Sequence, residues 1–144
     1  MRPLSRIEAG NYAVEFGIAA ESEREVVREQ RFRVYQREGY FSKPPKSFSE
    51  NPDFDFDEHD PDSLYFIAKL GGQIIGSARV VLGKEERMLP VEKAFEYQEP
   101  EDLADIPRNR RAEVGKLVSE VPEDFSSGEL TTTLGLIDAI VQYS

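Results

Sequence analysis

Leu64-Tyr65-Phe66-Ile67-Ala68-Lys69-Leu70-Gly71-Gly72-Gln73-Ile74-Ile75-Gly76-Ser77-Ala78-Arg79-Val80-Val81-Leu82 decides the fold class. Two runs rich in β-branched and aromatic residues flank a Gly-Gly pair. Two glycines accept the positive φ angles of a tight two-residue turn, so the stretch predicts an antiparallel hairpin. Upstream, Tyr12 to Ile18 reads as a short strand, and Glu21 to Glu38 as a helix free of Gly and Pro. Val27, Val34 and Tyr35 share one face of that helix with Arg31, and Gly39 follows as a C-cap. Residues 1–10 show no periodicity and read as a tail. Ser42 to Asp62 is a long loop broken by Pro44-Pro45, with 42–56 expected as a disordered stretch; its first half, Lys43 to Asn51, carries few apolar anchors, while Phe54 and Phe56 in the second half are candidates to pin it to the core.

Downstream, Pro90 to Phe95 fits a short helix with Pro at its first position, and Ala112 to Ser119 a further strand containing Gly115. Ser126 and Glu129 form a capping-box pattern ahead of a C-terminal helix in which Leu130, Leu134, Ile137 and Val141 make one stripe. Antiparallel strands interleaved with helices indicate an α+β domain, and a single domain over 1–144.

Composition narrows the function. The chain has 144 residues, 28 acidic and 18 basic, a net charge of −10, and no Cys or Trp. Disulfide scaffolds, thiolate zinc sites and cysteine nucleophiles are excluded. No apolar run has the length of a membrane span or the character of a signal peptide, and the acidic balance disfavours nucleic acid. The expected location is the cytoplasm.

Asp53-Phe54-Asp55-Phe56-Asp57-Glu58-His59-Asp60-Pro61-Asp62 is densely acidic. Read as an EF-hand from Asp53, its sixth and twelfth positions hold Glu58 and Leu64 instead of Gly and a bidentate acid, so that template fails. His59 is the only histidine and reads as an exposed loop residue; no metal is expected. Arg31, Arg79 and Glu113 are different, because each charge sits at a position patterned as apolar. Three charges of mixed sign, beside an acidic loop, point to one polar network. Glu113 and Lys116 lie on opposite faces of a regular strand, unless a bulge at Gly115 turns both toward one cleft.

Arg31-Phe32-Arg33-Val34-Tyr35, Asp57-Glu58-His59-Asp60, Gly76-Ser77-Ala78-Arg79, Met88-Leu89-Pro90 and Glu113-Val114-Gly115-Lys116 occur in an order that resembles the acyl-homoserine lactone synthases and N-acyl amino acid synthases. These are a branch of the GNAT acyltransferases. The resemblance covers residues 12 to 120 and implies a GNAT-like mixed, mostly antiparallel sheet flanked by helices. It also implies a sheet incomplete at its C-terminus, since the family's next strand follows the helix that ends this sequence. The implied activity is acyl transfer from a thioester of acyl carrier protein or coenzyme A to the amine of a small acceptor, an amino acid or derivative. Arg31, Tyr35, Phe41, Asp57, Asp60, Arg79 and Lys116 are implied to bind the acceptor. Glu113 is implied as general base, with backbone N–H groups of residues 113–117 polarising the thioester. Lys116 stands in place of the family's Arg, which loses bidentate geometry toward a carboxylate; Phe41 stands in place of its Trp, and that replacement favours the N-acyl amino acid branch. Arg24, Arg28, Arg37, Arg108, Arg110 and Arg111 are candidates for docking an acidic carrier protein. The alternative is an inactive acyltransferase-like module whose open sheet edge is completed by another chain, a homodimer included.

Overall fold

The computed structural model describes residues 1–94 and 101–144, with side chains placed for all of these except residues 101 and 102. Its elements are β1 (Arg2–Ala9), β2 (Tyr12–Ile18), α1 (Arg24–Arg37), β3 (Ser63–Leu70), β4 (Gln73–Leu82), α2 (Pro90–Ala94), α3 (Glu101–Ala104), β5 (Ala112–Ser119) and α4 (Gly128–Tyr143). The strands form one sheet in the order β1-β2-β3-β4-β5, antiparallel at every junction. The Gly71-Gly72 turn closes the β3–β4 hairpin with both glycines at positive φ (57° and 81°). Gly39, at φ 72°, ends α1 as expected. Phe95, the expected last residue of the short α2 helix, lies outside the described residues.

The first ten residues are a correction. They form β1, an edge strand paired with β2, and not a tail. The register slips between Pro3 and Ser5, leaving Leu4 as an extra residue. That bulge resets the two-residue alternation, so Leu4, Ile7 and Ala9 all reach the core from positions that show no period in the sequence.

The sheet's two faces differ. On one, Val14, Phe16, Phe66, Ala68, Ala78 and Val80 pack against Leu136, Ala139 and Ile140 of α4. The stripe of α4 picked out in the sequence is not the buried one: Leu130, Leu134, Ile137 and Val141 are exposed, at 64, 55, 46 and 66%. The helix turns Thr132, Gly135, Leu136, Ala139 and Ile140 to the sheet instead. A Cβ on Gly135 would stand 2.1 Å from the Phe16 ring, so only glycine permits the approach. The capping box also fails. Gly128 opens the helix after Ser127, which makes no side-chain cap, and the turn is set by Gly128 N–H donating to Phe125 O at 2.9 Å. The opposite face of the sheet receives α1 and the long loop, and there a small apolar cluster of Val27, Tyr65 and Ile67 lies on the same side as the buried polar residues Gln30, Arg31, Asp60 and Arg79.

Candidate active site

The acidic loop runs across the α1 side of the sheet, and every carboxylate in it meets a base from another element. Asp53 pairs with Arg28, Asp62 with Lys84 and Arg87, and Glu58 with Lys93. At the centre, Asp60 is 1% exposed and lies 3.4 Å from Arg79 and 3.8 Å from Arg31, themselves 4% and 1% exposed. Asp60 Oδ1 also accepts the Tyr65 hydroxyl, and its Oδ2 accepts the Asp57 N–H at 2.7 Å. Asp57 Oδ1 accepts Arg79 Nη1 at 2.7 Å and the His59 N–H at 2.9 Å. Among the described residues, no group of three or more His, Asp or Glu side chains is arranged to hold a metal ion.

The electrostatics follow from this pairing. Burial pushes the Asp57 carboxyl upward, but the Arg79 hydrogen bond and the Lys116 charge outweigh it and hold the group well below the usual carboxylate range. Burial and then the Asp60 carboxylate push the Tyr65 hydroxyl up to about 12. Burial works to lower the Arg79 value, and the Asp57 carboxylate more than reverses it. Asp57 and Arg79 therefore stay charged at neutral pH while Tyr65 stays neutral and donates.

The structure brings six of the eight expected site residues to this loop and its anchor on α1. Arg31, Asp57, Asp60, Arg79 and Lys116 meet directly or through Asp55, whose side chain takes Arg31 Nε and lies 3.3 Å from Lys116 Nζ. Phe41 seats the loop: its ring lies 5.0 Å from Phe54, 5.5 Å from Phe32 and 5.6 Å from Tyr35. Tyr35, the seventh, stands in that aromatic cluster, and burial raises its hydroxyl pKa. Phe56 does not anchor the loop; it is 44% exposed beneath the Arg28 guanidinium. His59, expected on the surface, is 4% exposed and offers its carbonyl to Ser63 Oγ at 2.6 Å. Asp55 and Tyr65 were not singled out from the sequence. The strict Asp-Phe alternation over 53–57 was the available signal for Asp55.

Lys116 reaches this cluster through a bulge beside Gly115, the irregularity that would have turned both Glu113 and Lys116 toward one cleft, and of the two only Lys116 joins the cluster. Ser77 pairs with Val118 and Arg79 with Gly115, so two residues of β5 stand opposite Ala78 alone. Lys116 takes φ 49°, a left-handed conformation rare for a residue with a Cβ, and its ammonium turns to the α1 side. There it lies 3.4 Å from Asp57 and 3.0 Å from the Asp55 carbonyl.

Glu113, the eighth, shares that sheet face but points elsewhere. Its register partner is Val81, two residues along from Arg79, a separation of about 7 Å. Its Oε2 accepts the Val91 N–H of α2 at 2.8 Å, and Oε1 has no partner among the described residues. The carboxylate borders a cleft of about 460 Å³ whose apolar wall is Leu89, Val91, Leu103, Ile106 and Val114. A second cleft of about 600 Å³ opens on the α4 side, over Phe66, Val80, Leu82, Ala112 and Ile140. Arg110 borders both.

The arginines considered for carrier docking are mostly engaged. Arg24 donates to Ser63 O at 2.7 Å, Arg28 pairs with Asp53, and Arg37 with Glu120. Arg108 and Arg111 converge on Glu92, at 3.5 and 3.7 Å. Arg110 alone of the six keeps its side chain without such a partner among the described residues.

The family model of the N-acyl amino acid synthase FeeM matches residues 27–144. The chain belongs to this family. As a member of the N-acyl amino acid synthases it is an acyltransferase, and the family is the one its ordered motifs resemble. No curated protein matches the sequence. Among solved structures it is similar to a predicted acetyltransferase with acetyl-CoA from Clostridium acetobutylicum, at 12% identity and a TM-score of 0.50, over 90% of this chain and 75% of that one. It is also similar to an uncharacterized protein from Bacillus halodurans, at 11% identity and a TM-score of 0.51, over 98% of this chain and 66% of that one. At these identities the likeness establishes the GNAT-like fold. Among the described residues, no helix is long and apolar enough to cross a membrane.

Proposed function

We propose that this N-acyltransferase moves an acyl group from the thioester of acyl carrier protein or coenzyme A to the amine of an amino acid or a derivative of one, in the cytoplasm. The observation that carries the reading is Glu113. One of its oxygens is fixed by the Val91 N–H, the other has no partner among the described residues, and the residue borders an apolar cleft, so a base is held in place with one carboxylate oxygen unengaged. The amine nitrogen attacks the thioester carbonyl carbon while Glu113 takes its proton. The carbon–nitrogen bond forms, the carbon–sulfur bond breaks, and the proton passes on to the departing thiolate.

β5 lies at the edge of the sheet, so its outward N–H groups have no neighbouring strand among the described residues and are free to stabilise the oxyanion. In this arrangement the acceptor enters from the α1 side and the acyl chain from the α4 side, with Ala112 to Val114 between them. Arg31, Tyr35, Phe41, Asp57, Asp60, Arg79 and Lys116 form the acceptor-side wall. Asp57 and Lys116, with side chains 38 and 17% exposed, are its accessible lip, and the buried Arg31 and Asp60 hold them in position. The acetyl-CoA of the clostridial structure supports coenzyme A as one donor.

The test is thiol release from palmitoyl-CoA and from palmitoyl carrier protein across a panel of amino acids. Glu113→Gln is expected to lower kcat by a factor of 100 or more with the acceptor KM little changed; retention of kcat removes Glu113 from the role. The exposed stripe of α4 and the open β5 edge support a second copy as partner, which sedimentation velocity tests.

A further inference from the structure

The 460 Å³ cleft beside Glu113 carries more than a base. Among the described residues its carboxylates are Glu92 and Glu113. Glu92 is satisfied, accepting the Leu89 N–H at 2.7 Å and facing Arg108 and Arg111. Glu113 keeps one oxygen open. The guanidinium groups bordering the cleft are Arg110 and Arg111, and Arg111 is tied to Glu92 and to the carbonyls of Leu103 and Ile106. Arg110 is the cation left to meet a ligand. Among the described residues the cleft therefore presents one open carboxylate, one open guanidinium and an aliphatic wall, which is the complement of a zwitterion with an apolar side chain.

From this arrangement, and resting on Glu113 as the base, we infer that Arg110 is the specificity residue that anchors the α-carboxylate of the acceptor, and that the acceptor is an α-amino acid with an apolar side chain housed by Leu89, Val91, Leu103, Ile106 and Val114. The amine then faces Glu113, and the volume lies within the range of sites that hold small molecules. A lysine or glutamate side chain finds no open counter-charge on that wall among the described residues, and its desolvation is not offset there.

Calorimetric titration of the whole chain with L-leucine, L-phenylalanine, L-lysine and isopentylamine (leucine without its carboxylate) tests this. The wild type is expected to bind leucine and phenylalanine at least 10-fold more tightly than isopentylamine or lysine. Arg110→Gln, an exposed position that leaves the melting temperature unchanged, is expected to weaken leucine by roughly 10- to 100-fold and isopentylamine by less than 2-fold. The same variant should raise the leucine KM in thiol release without lowering kcat. Equal weakening of both ligands, no weakening of either, or no saturable binding of any apolar amino acid overturns the inference. Failure of the base reading is separate: Glu113→Gln then keeps its kcat while Arg110→Gln still discriminates between leucine and isopentylamine.

Discussion

On the α4 side of the sheet Phe16, Phe66, Ala78 and Val80 interlock with Leu136 and Ala139, and nearly every contact is carbon on carbon. The same strands present Ser63, Tyr65, Ser77 and Arg79 to the α1 side, where the buried residues of the helix include Gln30 and Arg31. The apolar side gains by area removed from water and loses by the volume of any gap. The charged side has little net gain over an apolar filling of equal shape, yet loses heavily when one partner goes. Stability is concentrated on the first side and site geometry on the second.

The largest effect tests the apolar side. Phe16→Ala is expected to cost about 3–5 kcal/mol in a urea melt, independent of salt and pH. Gly135→Ala drives a methyl into the same ring and costs about 1–3 kcal/mol, but in the Phe16→Ala background it costs much less, because the ring it strikes is gone. Additive costs in that double variant would show that α4 does not rest on Phe16.

On the charged side, Asp60→Asn leaves Arg31 and Arg79 facing a neutral amide and is expected to cost about 3 kcal/mol. Replacing Arg31, Asp60 and Arg79 together by apolar residues of similar volume should restore part of that loss while leaving Asp57 and Lys116 without the buried charges that hold them in position. A fully stable, inactive triple variant is the outcome that separates the two faces most clearly.

The two sides were also unequally legible. Strands β2 to β5 and helix α1 follow from alternation, the Gly-Gly turn and helix-forming composition, and Arg31 and Arg79 announced themselves as charges at apolar positions. β1 was hidden by its bulge. The orientation of α4 was hidden because the helix is apolar on two sides, and its buried side mixes Leu136 and Ile140 with Gly135 and Ala139, so apolar periodicity alone does not select it. Asp55 and Tyr65 enter the site through pairings that no local pattern encodes.

Acid titration gives a finer test of the charged side. Because the folded Asp57 carboxyl titrates below its unfolded value of about 3.9, its contribution is complete above pH about 4 and is lost as pH falls through the folded value. Asp57→Asn lacks that contribution at every pH. Its melting temperature should lie below the wild type at pH 6 and converge on it toward pH 2.

The smallest effect falls on Lys116, where backbone and charge are both engaged. Lys116→Ala removes the ammonium from Asp55 and Asp57 and keeps a Cβ at φ 49°. Lys116→Gly removes the same charge and relieves the left-handed strain, so it should be more stable than the alanine variant by about 1 kcal/mol. Both should raise the acceptor KM alike, since both lose the charge. The difference in stability thus measures what the bulge stores, and the shared loss of affinity measures what it positions. Equal stabilities would mean that β5 abandons the bulge once the ammonium is gone, and that the acidic loop, through Lys116, is what holds the strand in its shape.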